Sequence, residues 1–172
     1  LIDSANQTRE RNVAVRPSPR LLNHPVHLLS LGFGAGLAPK LPGTAGTLLG
    51  ALIYIPLHHL SWQYYGAISL VMLLTGIWIC GETAAELGAH DHPGIVWDEI
   101  VGFLITMIAA PQGWGWILLG FVLFRLFDIG KPWPVNWLDR KLKGGVGIMA
   151  DDVMAAVYGW MSLQLIAYLL ES

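Results

Sequence analysis

Charge is scarce in this chain. Only 13% of its 172 residues are Asp, Glu, Lys or Arg, whereas soluble domains carry about 25%. Hydrophobic residues make up 54%, and mean hydropathy is +0.53. Too little polar sequence remains to cover a soluble core, which points to an integral membrane protein, with a soluble or half-inserted bundle as the alternative. Cysteine is almost missing too. Cys80 alone excludes an intramolecular disulfide, a zinc cluster and a Cys-x5-Arg phosphatase loop, and reads as a small buried hydrophobe. There is no Gly-x-Ser-x-Gly, no Asp-x-Asp opening a strand and no Ser-Gly-His run, so the familiar nucleophile patterns fail. Period-2 alternation is lacking, which argues against a sheet. No internal repeat supports a transporter of the inverted-repeat kind. A net charge of −2 gives no reason to expect nucleic acid. No signal peptide is visible.

What is present is apolar and helical. "WQYYGAISLVMLLTGIWICG" (62–81) is uncharged, 20 residues long and aromatic near both ends, which predicts a spanning helix. "VMAAVYGWMSLQLIAYLL" (153–170) predicts a second. The stretches 46–57, 100–110 and 114–126 are short for a bilayer, and "PQGW" (111–114) joins the last two as a hairpin. The segment from His27 is broken by glycine and ends at Pro39. The expected fold is all-α: a compact, membrane-embedded bundle of about five to six helices. Residues 1–20 form a flexible polar tail and 21–172 a single domain.

The charges sort to one side. The ten Lys and Arg residues lie in the tail, at Lys40, Arg125 and Lys131, and at Arg140, Lys141 and Lys143. The connections 58–63 and 111–114 carry none. If 46–57 crosses, the tail and the loops 82–99 and 129–150 share a side, and the positive-inside rule makes it cytoplasmic. All acids except Glu171 fall there as well.

Several carboxylates then gather at helix ends. Glu82 and Glu86 close the 62–81 helix, Asp98 and Glu99 open the next, Asp128 follows Arg125 by one turn, and Asp151 and Asp152 open the last. Capping explains one acid per helix but not the adjacent pairs in "WDE" and "ADD". Converging carboxylates with few cations suit a hard metal ion such as Mg²⁺. Asp98, Glu99, Asp128, Asp151 and Asp152 are the candidate ligands, and Asp98, Glu99, Asp128 and Asp152 the candidate catalytic groups. Arg125 and Lys131 offer phosphate contacts. "PGTAGT" (42–47) opens a helix with two hydroxyls, Thr44 and Thr47, near backbone N–H groups that favour an anion. Glu82, His90 and Asp91 are accessory candidates. His92 completes "HDHP", where a loop histidine is more often solvated or capping. The same acids could serve an ion path, and the eight Trp could pack a partner subunit, so a transporter or channel and a structural subunit stay open.

The stretches "HLLSLGFGAGLAPKLPGTAGT", "HDHPGIVWDEIVGF", "FRLFDIGKPWPVNWLDR" and "GGVGIMADDVMA" together resemble the phosphatidylglycerophosphatase A family over about His27 to Ala155. The chain departs at Ala156, where the family often has Gly. The resemblance implies an all-helical, Mg²⁺-dependent, multi-pass enzyme of the bacterial inner membrane. It would remove the terminal phosphate of phosphatidylglycerophosphate to give phosphatidylglycerol, with its site on the cytoplasmic face.

Overall fold

The structure is a computed structural model that describes residues 17–89, 92–133, 135 and 142–171. Every regular element among them is helical, as expected. A 3-10 turn, Pro19–Asn23, leads into α1 (Pro25–Ser30) and a second 3-10 turn, Gly32–Leu37. There follow α2 (Pro42–Leu57), α3 (Trp62–Leu87), α4 (Trp97–Thr106), α5 (Trp114–Gly130) and α6 (Gly144–Glu171). Of the expected tail, residues 1–16 lie outside the described residues. Pro17 is buried and Ser18 caps the first turn, so the helical body starts slightly earlier than expected.

Local chemistry accounts for most boundaries. Pro25 and Pro42 sit at the first position of α1 and α2, where the missing N–H costs nothing. Gly88 ends α3 in the left-handed conformation, φ 62°, a common helix stop. The start of α6 is a correction. "KGGVG" reads as a loop before a helix opened by Asp151, yet the helix begins at Gly144. The reason is packing. α3 and α6 run antiparallel in close contact, and a Cβ on Gly145 would lie 1.7 Å from the Ile77 carbonyl oxygen. This glycine lets two backbones meet, as at tightly packed membrane helices.

The short α4 is the hub. It packs against α2, α3, α5 and α6, and Ile100, Val101, Phe103 and Leu104 are fully buried. α2 and α6 run parallel to it. Gly50 abuts Ile100, and the Thr106 hydroxyl donates to the Gly102 carbonyl and, at 3.4 Å, to that of Ala156. Ala156 is fully buried. These directions bring one set of ends together: the starts of α2 and α4, the ends of α3 and α5, and the first turns of α6.

α3 and α6 are the two described helices long and apolar enough to cross a membrane. Only 33% and 28% of their most apolar stretches is buried. A core helix of a soluble protein would be mostly covered, so these faces suit lipid. α2, at 16 residues, is about 24 Å long and α4, at 10 residues, about 15 Å, against a hydrocarbon core of about 30 Å.

Candidate active site

The loop before α4 fixes its first turn. The Val96 N–H donates to the Ser30 carbonyl at 2.9 Å, and Val96 occupies the N-cap position. Asp98 and Glu99 come next, and neither caps the helix from that position. Asp98 is buried, and its Oδ1 accepts the Glu99 N–H at 3.1 Å. Asp151 and Asp152 do not open α6 as expected. They lie about two turns inside it, both buried, so the favourable field of a helix start does not explain them.

Three of these acids converge. One oxygen from each of Asp98, Glu99 and Asp152 lies within 4.8 Å of the others. Glu99 Oε2 and Asp152 Oδ2 are buried without a hydrogen-bond partner. Buried carboxylate oxygens with nothing to accept from are costly. The nearest cation is divided between acids: Arg125 NH1 is 2.5 Å from Asp128 Oδ2 and 3.9 Å from Glu99 Oε1. Burial, then the charge of Asp152, pushes the Glu99 carboxyl up to about 8, against the opposing hydrogen bond from Asp98 and the more distant Arg125 charge. Crowded, desolvated, all-oxygen donors of this kind fit a hard divalent cation, which would satisfy the orphaned oxygens and relieve the repulsion.

The start of α2 closes one wall. A Cβ added to Gly43 would lie 2.2 Å from Glu99 Oε1 and 3.0 Å from Arg125 NH1. The N–H groups of the first turn of α2 thus sit beside the guanidinium, where an anion would be held from two directions. Thr44 is half-buried in that turn. Thr47 departs from its expected place in the cradle: it is fully buried, and its hydroxyl donates to the Gly43 carbonyl at 2.9 Å, back into its own helix. Arg125 Nε has no partner, leaving a donor for a ligand. Lys131, in the left-handed conformation at the end of α5, places Nζ 2.8 Å from Asp151 Oδ2.

The accessory candidates separate from this group. Glu82 is exposed on α3 and is not among the converging carboxylates. His90 and Asp91 lie outside the described residues. His92 is buried and its Nδ1 accepts the Gly94 N–H at 3.0 Å, a turn-capping role. Sequence reasoning missed the tight seat of Glu99 on Gly43; the glycine directly after a helix-opening proline was the available signal. It also missed a buried polar junction in which Thr83 Oγ1 lies 2.6 Å from Ser30 Oγ and 2.8 Å from His27 Nδ1, tying α1 to α3 behind the Val96 loop. Isolated hydroxyls in apolar segments gave no hint of it.

A family model described as Phosphatidylglycerophosphatase A matches residues 28–167 of the chain, a span that includes every converging side chain. The chain belongs to the phosphatidylglycerophosphatase A family. It is 43% identical over 148 residues to "Phosphatidylglycerophosphatase A" of Escherichia coli strain K12, covering 86% of each chain. It is 46% identical over 150 residues to the protein of the same name from Haemophilus influenzae, covering 86% of this chain and 91% of that one. A Bacteroides thetaiotaomicron relative, 41% identical over 142 residues, covers 78% of this chain and 88% of its own length; its provisional name is phosphatidylinositol-3-phosphatase. No solved structure matches the chain at a significant level.

Proposed function

We propose that the chain hydrolyses the terminal phosphate of phosphatidylglycerophosphate to leave phosphatidylglycerol, using Mg²⁺ held by Asp98, Glu99 and Asp152. The convergence of three carboxylates with two orphaned buried oxygens, beside an arginine and a helix start, carries this reading. Family membership supplies the substrate class.

Mg²⁺, when bound, supplies positive charge next to the phosphoryl group and acidifies water. The chain does the rest. Arg125 grips two phosphate oxygens through its planar fork, and Asp128 fixes the guanidinium from behind. The first-turn N–H groups of α2, with Thr44, hold a further oxygen. Lys131 adds a mobile charge at the rim, with Asp151 holding its ammonium. Asp98 takes the proton of the attacking water as the new phosphorus–oxygen bond forms. The ester phosphorus–oxygen bond breaks, its oxygen leaves as the lipid alcohol with the proton that Asp98 gives up, and inorganic phosphate is released. Asp128 acts through Arg125 rather than on the reacting atoms.

The charge sorting along the sequence and the lipid-suited faces of α3 and α6 support a multi-pass protein of the bacterial inner membrane with this end on the cytoplasmic face. Membrane lipid and the phosphorylated lipid are the proposed partners. The converging acids stand beside phosphate-suited donors at one end of the bundle, and nothing favours the transport alternative.

The test is phosphate release by the purified protein in detergent micelles, with Mg²⁺ and with a chelator. Mg²⁺-dependent release from phosphatidylglycerophosphate is expected. Faster release from a phosphatidylinositol 3-phosphate would change the head group, and release from neither lipid would overturn the reading.

A further inference from the structure

A lipid substrate has a second half, and the structure offers a track for it. α2 and α5 lie side by side, antiparallel, with α4 beneath them. At the site end, Gly43 of α2 meets Arg125 of α5. At the far end the two helices part around a cavity of about 240 Å³, lined by Ile55 of α2, His58 and His59 just beyond it, and Trp114 and Ile117 of α5. Helical spacing puts Arg125, Phe121, Ile117 and Trp114 on one face of α5, at steps of four, four and three residues. Thr44, Leu48, Ala51 and Ile55 line up the same way on α2. The two faces therefore border a single seam that starts at the proposed phosphate site and ends in the cavity.

Three properties of the seam favour a fatty acyl chain. Its banks are apolar and exposed: Leu48 on α2, and Leu118 and Val122 on α5. Its floor is closed by Ala51 and by the fully buried Phe103 of α4, whose ring stands 6.5 Å from that of Phe121. Its length matches one leaflet. From Gly43 to Ile55 is twelve helical steps, about 18 Å, against about 15 Å for half a hydrocarbon core. Along the whole track, charge is confined to the Glu99–Arg125 end.

We infer that one acyl chain of the phosphorylated lipid lies along the α2–α5 seam, with its phosphate at Arg125 and its methyl end toward the cavity. This rests on the proposed lipid phosphatase reading and adds the path by which substrate arrives, sideways from the bilayer. The seam selects for chain length, and the carboxylate end selects for the phosphomonoester.

Two measurements test it in the full-length protein in lipid vesicles. In the first, a photo-crosslinking residue replaces Leu48 or Val122 in an Asp98→Asn background, and Leu70 or Leu165, equally apolar and exposed on α3 and α6, as controls. Adducts at 48 and 122 should be enriched in phosphatidylglycerophosphate over the vesicle composition, while those at 70 and 165 should mirror it. Equal composition at all four positions, or enrichment only at the controls, overturns the seam. In the second, Leu48→Ser and Val122→Ser remove apolar contact equivalent to about two methylenes. Such a loss should lower kcat/KM for a long-chain substrate about tenfold relative to a short-chain, water-soluble diacyl analogue. An unchanged ratio in active variants contradicts the seam alone. Failure of the unmodified protein to cleave either substrate contradicts the phosphatase reading instead.

Discussion

Gly43→Ala separates folding from chemistry. Gly43 is the second residue of α2, with ordinary helical backbone, so alanine there should favour the helix by up to about 1 kcal/mol. The new methyl would lie 2.2 Å from Glu99 Oε1. Ordinary van der Waals contact needs about 3.4 Å or more, so the carboxylate must retreat by roughly 1.2 Å. The atom that moves is the far end of a flexible side chain, and the fold should survive. The site should not: a displacement of about 1 Å costs on the order of a hundredfold in rate when groups are positioned for reaction. The expected result is a thermal midpoint equal to or above the parent's, with phosphate release down about a hundredfold and a raised Mg²⁺ requirement, because Glu99 is a proposed ligand. The assay is initial-rate phosphate release across a Mg²⁺ titration, beside a thermal melt in the same detergent. Activity within about threefold of the parent, in a protein that melts normally, would refute the close seat of Glu99 on the start of α2.

Further outcomes follow from the same geometry. Glu99's carboxyl is raised from 4.5 to about 8, so its contribution to stability is fully present below about 4.5 and lost as pH rises through about 8; metal-free protein should lose stability across that window, and Mg²⁺ should stabilise it increasingly as pH rises, as read by melts with and without chelator. Arg125→Lys should impair turnover nearly as much as Arg125→Ala, because a point charge cannot replace the fork, whereas Lys131→Arg should keep substantial activity; full activity in Arg125→Lys would remove Arg125 from the phosphate site. Gly145→Ala should destabilise the fold by about 1–3 kcal/mol or more, since its methyl meets the rigid Ile77 carbonyl and not a movable side chain, and unfolding in mixed micelles would show it.

The sequence disclosed the helical class because long uncharged stretches allow little else, and the helix at 62–81 was visible for that reason. Its continuation to Leu87 was hidden by Glu82 and Glu86, which are tolerated because both are exposed on the last turns. The onset of α6 was misread because a glycine run has two physical uses, turning the chain and letting backbones touch, and only the position of Ile77 decides between them. Of the proposed site, Asp98, Glu99, Arg125, Asp128 and Asp152 could be singled out because charge in so apolar a chain is conspicuous. The division of labour among them was not legible. The pairing of Arg125 with Asp128 was visible in their i, i+3 spacing, but that Lys131 pairs with Asp151 and that Thr47 bonds its own helix depend on a distance between segments 20 residues apart and on a rotamer within a turn. The burial that raises Glu99 likewise comes from packing around α4, which no local pattern encodes.

Asp98, Glu99 and Asp152 are proposed to hold jointly a divalent cation used for phosphate release. Mn²⁺ binding followed by electron paramagnetic resonance, in the parent and in Asp98→Asn, Glu99→Gln and Asp152→Asn, tests it most directly when paired with phosphate release from the same preparations. Each substitution should weaken Mn²⁺ binding at least about tenfold and lower turnover by orders of magnitude in folded protein. Parent-like Mn²⁺ binding and turnover in all three variants would contradict it.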